Sequence, residues 1–152
     1  MLSFNNISKS FGTRVLFDNV TFTLGNRERV GLVGRNGHGK TTLLNIIAGF
    51  DSPDSGSIIA PKGYKIGYLA QKLIFTHPTV REEAVSALPE DKADSAYLAE
   101  KILFGLGFDN DLLAMSPSQL SGGFQVRLNL CKLLISEPHL LLLDEPTNYL
   151  DI

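Results

Sequence analysis

The sequence has 152 residues, of which 43% are hydrophobic and 20% charged, with a formal net charge of −2. That size and balance suit one soluble globular domain with a buried core. They exclude a basic field for nucleic acid or anionic lipid, and no apolar run approaches the ~20 residues of a membrane span. Cys131 is the lone cysteine, so no disulfide framework exists. Between Leu130 and Leu133 it reads as a buried structural thiol rather than a reactive one. The opening residues Met1 to Asn6 lack the basic-then-apolar layout of a signal peptide. A cytoplasmic, reducing setting is expected.

Residues 2–8 and 20–24 alternate in period two with β-branched and aromatic side chains, which predicts two strands. Phe11-Gly12-Thr13-Arg14 is a turn between them, and Asn26 turns the chain into the next run. That run, Val30-Gly31-Leu32-Val33, reads as a buried strand. It leads into Gly34-Arg35-Asn36-Gly37-His38-Gly39-Lys40-Thr41, which fits the G-x-x-x-x-G-K-[ST] phosphate loop at a strand-to-helix junction. Gly34, Gly37 and Gly39 allow the tight turn and bring backbone N–H groups against an anionic phosphate chain. A helix starting near Lys40 adds the positive end of its dipole. Lys40 can reach the β- and γ-phosphates, and the Thr41 hydroxyl can coordinate Mg²⁺. Arg35, Asn36, His38 and Thr42 complete the stretch expected to hold a nucleoside triphosphate.

The helix from Lys40 carries Leu43, Leu44, Ile46 and Ile47 at helical spacing and ends at Gly49 as a C-terminal cap. A turn cluster at Asp51 to Gly56 follows, then Ile58-Ile59 and Ile66 to Leu69, expected to pair as a hairpin around Pro61-Lys62-Gly63. Thr79 with Glu82 opens a helix as a capping box. Leu88 to Lys92 is a polar linker or surface loop. Ser95 to Phe104 is a second helix with a stripe of Tyr97, Leu98, Ile102 and Leu103. A third runs from Ser121-Gly122-Gly123 to about Ile135, with Val126, Leu130, Leu133 and Leu134 on one face. Leu140 to Leu143 is a continuous apolar run, the pattern of a buried parallel strand, closed by Asp144 and Glu145.

Those two acids are the second half of the expected site. At the carboxyl end of the strand Asp144 can hold Mg²⁺ opposite Thr41, and Glu145 can orient and polarise an attacking water. Gln71, just after a strand, either reaches the metal and the water or is a solvated turn amide. Phe11 either fills the core of the small sheet, the favoured reading from residues alone, or stacks on a nucleobase. Ser121, Gly122 and Gly123 at a helix start form another anion-binding arrangement. One chain needs no second such site unless it serves a neighbour's nucleotide.

The phosphate loop, Gln71, Leu120-Ser121-Gly122-Gly123, the tetraleucine strand and Asp144-Glu145-Pro146-Thr147-Asn148-Tyr149-Leu150-Asp151 occur in an order and spacing that resemble the ATP-binding cassette family over nearly the whole chain. Phe124 stands where the family signature usually has glutamine. The run from Asp144 to Asp151, with Gly-Arg-Asn-Gly in the loop and Val-Leu-Phe-Asp-Asn-Val before it, looks like the soluble ABC-F branch. That resemblance implies an α/β fold. Its parts are a P-loop core of parallel strands, a small antiparallel sheet and a helical subdomain near residues 75–135 within one domain, 1–152. It makes Phe11 the base-stacking aromatic, Gln71 the residue coupling the site to the helical subdomain, and Asp151 an acid at a cassette–cassette interface. Ser121 to Gly123 would face the phosphate loop of a second cassette.

ABC-F proteins carry two cassettes, lack a transmembrane partner and mostly act on ribosomes. The expected activity is ATP hydrolysis with Mg²⁺, coupled to the ribosome. The alternatives are the nucleotide-binding subunit of a membrane transporter and a non-catalytic ATP-sensing module, against which Glu145 argues. Cassettes of this family continue through a strand bearing a switch histidine, and none of His38, His77 or His139 occupies that position. Gln71 and Ser121 lie 50 positions apart, too close for the long arm common in first cassettes of the branch. Either the cassette is arm-less or the arm was removed near Asp91 to Asp94. An incomplete cassette is therefore expected, one that alone binds ATP weakly or not at all and turns it over little.

Overall fold

A computed structural model describes residues 1–69 and 73–145. Gln71 and the run from Pro146 to Asp151 lie outside the described residues. The chain divides into two compact units, Met1–Tyr64 and Lys65–Ile152.

In the first unit, β1 (Leu2–Phe11), β2 (Arg14–Leu24) and β3 (Ser55–Ile59) form an antiparallel sheet in the order β2-β1-β3. Both predicted strands extend further than their alternation indicated, β1 to Phe11 and β2 back to Arg14. Leu2 and Phe4 point inward, and Phe4 stacks on Phe22 directly opposite with ring centroids 4.1 Å apart. The positive φ of Asn6 (50°) sits at a register shift. This bulge resets the alternation so that Ile7 and Lys9 continue the buried side. Thr21 braces it, its hydroxyl accepting from the Asn6 backbone N–H at 2.9 Å and donating to the Asn6 side chain at 2.7 Å. Gly56 crosses the same spot at φ 90°, where a Cβ would lie 2.4 Å from the Asn6 carbonyl oxygen, so only glycine fits. Buried Lys9 donates to Asp51 at 2.9 Å and to the Ser52 carbonyl at 2.7 Å. The helix α1 (Lys40–Ala48) buries Ile46 and Ile47 and is closed by Gly49.

Two expectations for this region fail. Ile58-Ile59 does not pair with Ile66 to Leu69: β3 pairs with β1, and the later segment joins another sheet. The free edge of β1 satisfies the backbone of β3 at once, whereas Ile66 to Leu69 is a buried segment that takes a parallel neighbour. Nor is Val30 to Val33 a buried strand. It belongs to no strand, and Val33 is 94% exposed. An apolar run marks residues fit for burial, but a strand exists only where a neighbour supplies the ladder, and β1 is already flanked on both sides.

In the second unit, β4 (Ile66–Leu69) runs parallel to β5 (Leu140–Leu143), residue for residue. Leu69 and Leu142 are buried. The crossover between them holds α2 (Val80–Val85), α3 (Ala96–Gly105), α4 (Asn110–Ala114) and α5 (Gly122–Ile135). Thr79 caps α2 by accepting from the Glu82 N–H at 3.2 Å. A short 3-10 turn, Glu90–Lys92, replaces the expected loop. The helix α4, capped by Asp109 at 2.9 Å, was not legible from periodicity because five residues give too short a window.

The packed faces differ from the predicted stripes. On α3, Ala99 and Leu103 are buried while Tyr97 is exposed. On α5 the core side chains are Val126, Leu128, Cys131 and Ile135, while Leu134 is exposed. Leu133 faces a different neighbour, lying against Gly67 on β4. A helix packed on two sides carries leucines nearly all round, so no single stripe reveals its inner face. The Cys131 thiol donates to the Ala99 carbonyl at 3.8 Å, and burial pushes it up to about 12, as expected of a structural thiol.

Glu83 is 1% exposed inside this helical core. It accepts from the backbone N–H groups of Thr76 and His77, each at 2.8 Å, and from the Lys132 ammonium. Burial pushes its carboxyl up, but these hydrogen bonds outweigh burial and hold it down at about 2, against 4.5 ordinarily. A depressed acid contributes stability that is present above its ordinary value and lost as pH falls through the folded one. Glu83 should therefore contribute up to ~3 kcal/mol above pH ~4.5, fading toward pH ~2. Denaturant unfolding of Glu83→Gln across pH 7 to 2.5 should show a lower midpoint at neutral pH and a flatter decline below pH ~4.5 than the parent. Parallel curves would remove Glu83 from the account.

Candidate functional site

The stretch after β2 and before α1 folds as a loop around one cation. Lys40 is the first residue of α1, and its ammonium turns back over the loop. It donates to the carbonyls of Gly34 at 2.8 Å and Arg35 at 3.2 Å, and to the Asn36 side chain at 3.4 Å. The chain reverses at Gly37 (φ 77°) and Gly39 (φ 89°). His38 N–H closes the turn on the Arg35 carbonyl at 3.3 Å. Thr41 and Thr42 follow in the first turn of α1, with Thr41 exposed. An ammonium, a helix N-terminus and a glycine-rich turn thus converge within nine residues, an electropositive arrangement suited to a phosphate chain.

The antiparallel hairpin supports this loop. Arg14, the first residue of β2, donates from its guanidinium to the Gly37 carbonyl at 2.8 Å. Leu16, two residues on, lies against Gly39, where a Cβ would come within 3.2 Å of it. Phe11, opposite Arg14 in the ladder, is 56% exposed, with the Lys9 ammonium 5.5 Å from its ring centroid. It does not fill the core of the sheet. An exposed aromatic at this end of the hairpin fits the stacking role implied by the family resemblance.

The remaining candidates belong to the second unit. Asp144 directly follows β5 and is buried, and Tyr68 on β4 donates to it at 3.4 Å. Burial and the adjoining Asp144 charge push the Tyr68 hydroxyl up, so it stays a neutral donor to that carboxylate. Glu145 is exposed and adopts φ 49°, the left-handed region that side-chain-bearing residues seldom occupy. The Ser121 hydroxyl caps α5 by accepting from the Phe124 N–H at 3.4 Å, with Gly122 and Gly123 in the first turn. Phe124 packs edge-on to Phe108 at 5.0 Å and under the Arg127 guanidinium. It turns into the helical core, which leaves the Ser-Gly-Gly backbone to form the helix mouth.

Thr41 and Asp144 offer hydroxyl and carboxylate oxygens, the hard donors that Mg²⁺ takes. Among the described residues no cluster of three or more His, Cys, Asp or Glu side chains stands ready to hold a metal by itself. Three supporting residues escaped sequence reasoning: Arg14, Tyr68 and Glu83. Arg14 reads in the sequence as the end of a turn, and no local pattern marks the other two. No described helix is long and apolar enough to cross a membrane.

Gly39→Ala would place a side chain at φ 89° and against Leu16. Strain of this kind costs roughly 1–3 kcal/mol. Chemical denaturation followed by circular dichroism should register it as a lower midpoint, and an unchanged midpoint would mean the loop adapts freely.

The ABC transporter family profile matches residues 17–148 of the chain. The chain is 38% identical over 193 residues to the putative ATP-binding protein YdiF of Bacillus subtilis, covering all of this chain and 30% of YdiF. It is 34% identical over 165 residues to the Fe(3+) ions import ATP-binding protein FbpC 2 of Pectobacterium atrosepticum, covering 99% of this chain and 48% of that protein. The chain thus spans less than half the length of either relative. Its fold superposes with a TM-score of 0.79, at 26% identity, on the ATP-binding cassette MJ0796, solved as a dimer in a post-hydrolysis state with ADP and Pi. That match covers 99% of this chain and 76% of the other. With the profile spanning most of its length and the superposition nearly all of it, the chain belongs to the ABC transporter family of ATP-binding cassettes.

Proposed function

We propose that this chain binds ATP with Mg²⁺ and hydrolyses it as one of a pair of cassettes. The observation that carries the reading is the Lys40 ammonium seated inside its own glycine loop at the mouth of α1. Phosphate oxygens are stronger acceptors for an ammonium than neutral carbonyls. An entering triphosphate therefore has a cation and a row of backbone donors to exchange for water.

In this reading Gly34 to Thr42 receive the phosphates and Phe11 stacks on the base. Thr41, Asp144 and Gln71 would hold Mg²⁺, which would supply neutralisation of phosphate charge. Glu145 orients the attacking water and accepts its proton. Ser121, Gly122 and Gly123 serve the nucleotide of the partnering cassette through the N–H groups opening α5. The work is positioning and charge neutralisation, which calls for a lysine and backbone donors rather than a covalent nucleophile. The dimeric state of the MJ0796 neighbour supports the pairing.

For the partner, we infer an ABC-F type ATPase acting with the ribosome in the cytoplasm, on the strength of the Asp144 to Asp151 run. The match to YdiF, an ATP-binding protein by name, accords with it. The alignment to YdiF is longer than this chain, so that relative carries inserted residues. The similarity to FbpC 2 favours the second reading, a nucleotide-binding subunit of a membrane importer. Co-sedimentation with ribosomes against co-purification with a membrane subunit separates the two.

Glu145→Gln should lower ATP turnover by about 10²–10⁴-fold while nucleotide binding persists, and it should trap a closed cassette pair detectable by size-exclusion chromatography with ATP. Turnover unaffected by this change would take the base assignment away from Glu145.

A further inference from the structure

We propose that Arg14 is a positioning residue for the phosphate loop: it holds the Gly37 carbonyl oxygen on its own side, so that this oxygen does not oppose an entering phosphate. The inference deepens the nucleotide-binding reading above and rests on it.

The geometry begins with one peptide plane. The Arg14 guanidinium takes the Gly37 carbonyl at 2.8 Å, and the N–H on the other side of the same peptide, that of His38, donates to Arg35 at 3.3 Å. In a trans peptide the carbonyl and N–H point in opposite directions. Fixing the oxygen on Arg14 therefore fixes the N–H on the opposite side, where it meets the Arg35 carbonyl. Without that cation the oxygen is free to rotate inward, where its partial negative charge opposes an entering phosphate.

Strand geometry makes the arrangement firm. Arg14 and Leu16 both lie on β2, beside a register irregularity of the ladder, and both reach the loop. One meets Gly37 by a charge-assisted hydrogen bond and the other meets Gly39 by van der Waals contact. Lys40 ties the near side of the loop to Gly34 and Arg35. The loop is thus gripped at 34–35 by its own lysine, and at 37 and 39 by β2. Phe11 lies opposite Arg14 in the ladder, which puts the aromatic and the loop anchor on one hairpin end. Arginine suits the task because its planar, permanently charged fork is preorganised, while a lysine at this point is a flexible point charge.

The test measures binding of ATP, ADP and adenosine to the parent chain, Arg14→Ala, Arg14→Lys and Lys40→Ala, alongside melting temperature. If Arg14 positions the loop, Arg14→Ala should weaken ATP and ADP by the same factor, about tenfold, the size expected for losing one charge-assisted hydrogen bond. Adenosine affinity and melting temperature should hold, and Arg14→Lys should recover part of the loss. Weakening confined to ATP would make Arg14 a direct γ-phosphate contact and overturn the positioning role, as would a loss that tracks melting temperature alone. Lys40→Ala separates the two levels. If it leaves ATP affinity intact, the nucleotide-binding reading fails; if it abolishes binding while Arg14→Ala changes affinity less than twofold, only the present inference fails.

Discussion

A backbone loop can cradle an anion only when its carbonyls are turned away from the cavity and kept there. Every peptide carries one donor and one acceptor, and a turn tight enough to gather donors also gathers oxygens. Here the oxygen of Gly37 is held outside by Arg14, while those of Gly34 and Arg35 point to the Lys40 ammonium inside the loop, which neutralises them. The Lys40 cation thus braces the loop that surrounds it. The glycine conformations at 37 and 39 follow from this demand, since both positive φ values are set by the need to reverse the chain within a few residues.

The second unit solves a different problem with the same materials. Its helices bury apolar side chains around Leu103, Leu128 and Cys131, and in the middle of that core sits a carboxylate. Glu83 is tolerated because four groups converge on it: two backbone N–H groups, the Lys132 ammonium and the His77 ring at 3.2 Å. The result ties residues 76–77, α2 and α5 into one piece. Since α5 begins at Ser121, the carboxylate fixes the helix whose mouth carries the Ser-Gly-Gly run. Phe124 contributes from the other side by anchoring the first turn to Phe108.

Asp144 and Tyr68 show how a short parallel ladder places a carboxylate. The register sets Tyr68 opposite Leu142 and Leu69 opposite Leu143, so the tyrosine hydroxyl reaches the first residue beyond the end of β5. The strand end then leaves ordinary geometry at once, with Glu145 in the left-handed region. Four leucines fix where the acids begin, and backbone strain fixes how the second of them is presented.

The sequence by itself determined the phosphate loop, the capping residues at Thr79 and Gly49, the helix start at Ser121, the apolar strand before the acids, and the family these imply. Each is a local pattern in which residue type is dictated by the conformation of its own few neighbours. Tertiary structure alone decided that Val30 to Val33 is exposed, that β3 pairs with β1 and not with β4, that Phe11 is exposed, and which side of α5 is buried. Those outcomes depend on which distant backbone or side chain satisfies a ladder or fills a face. Arg14 belongs with the second class: in the sequence it closes a turn, and its purpose appears only when the chain returns, 23 residues later, with the carbonyl of Gly37.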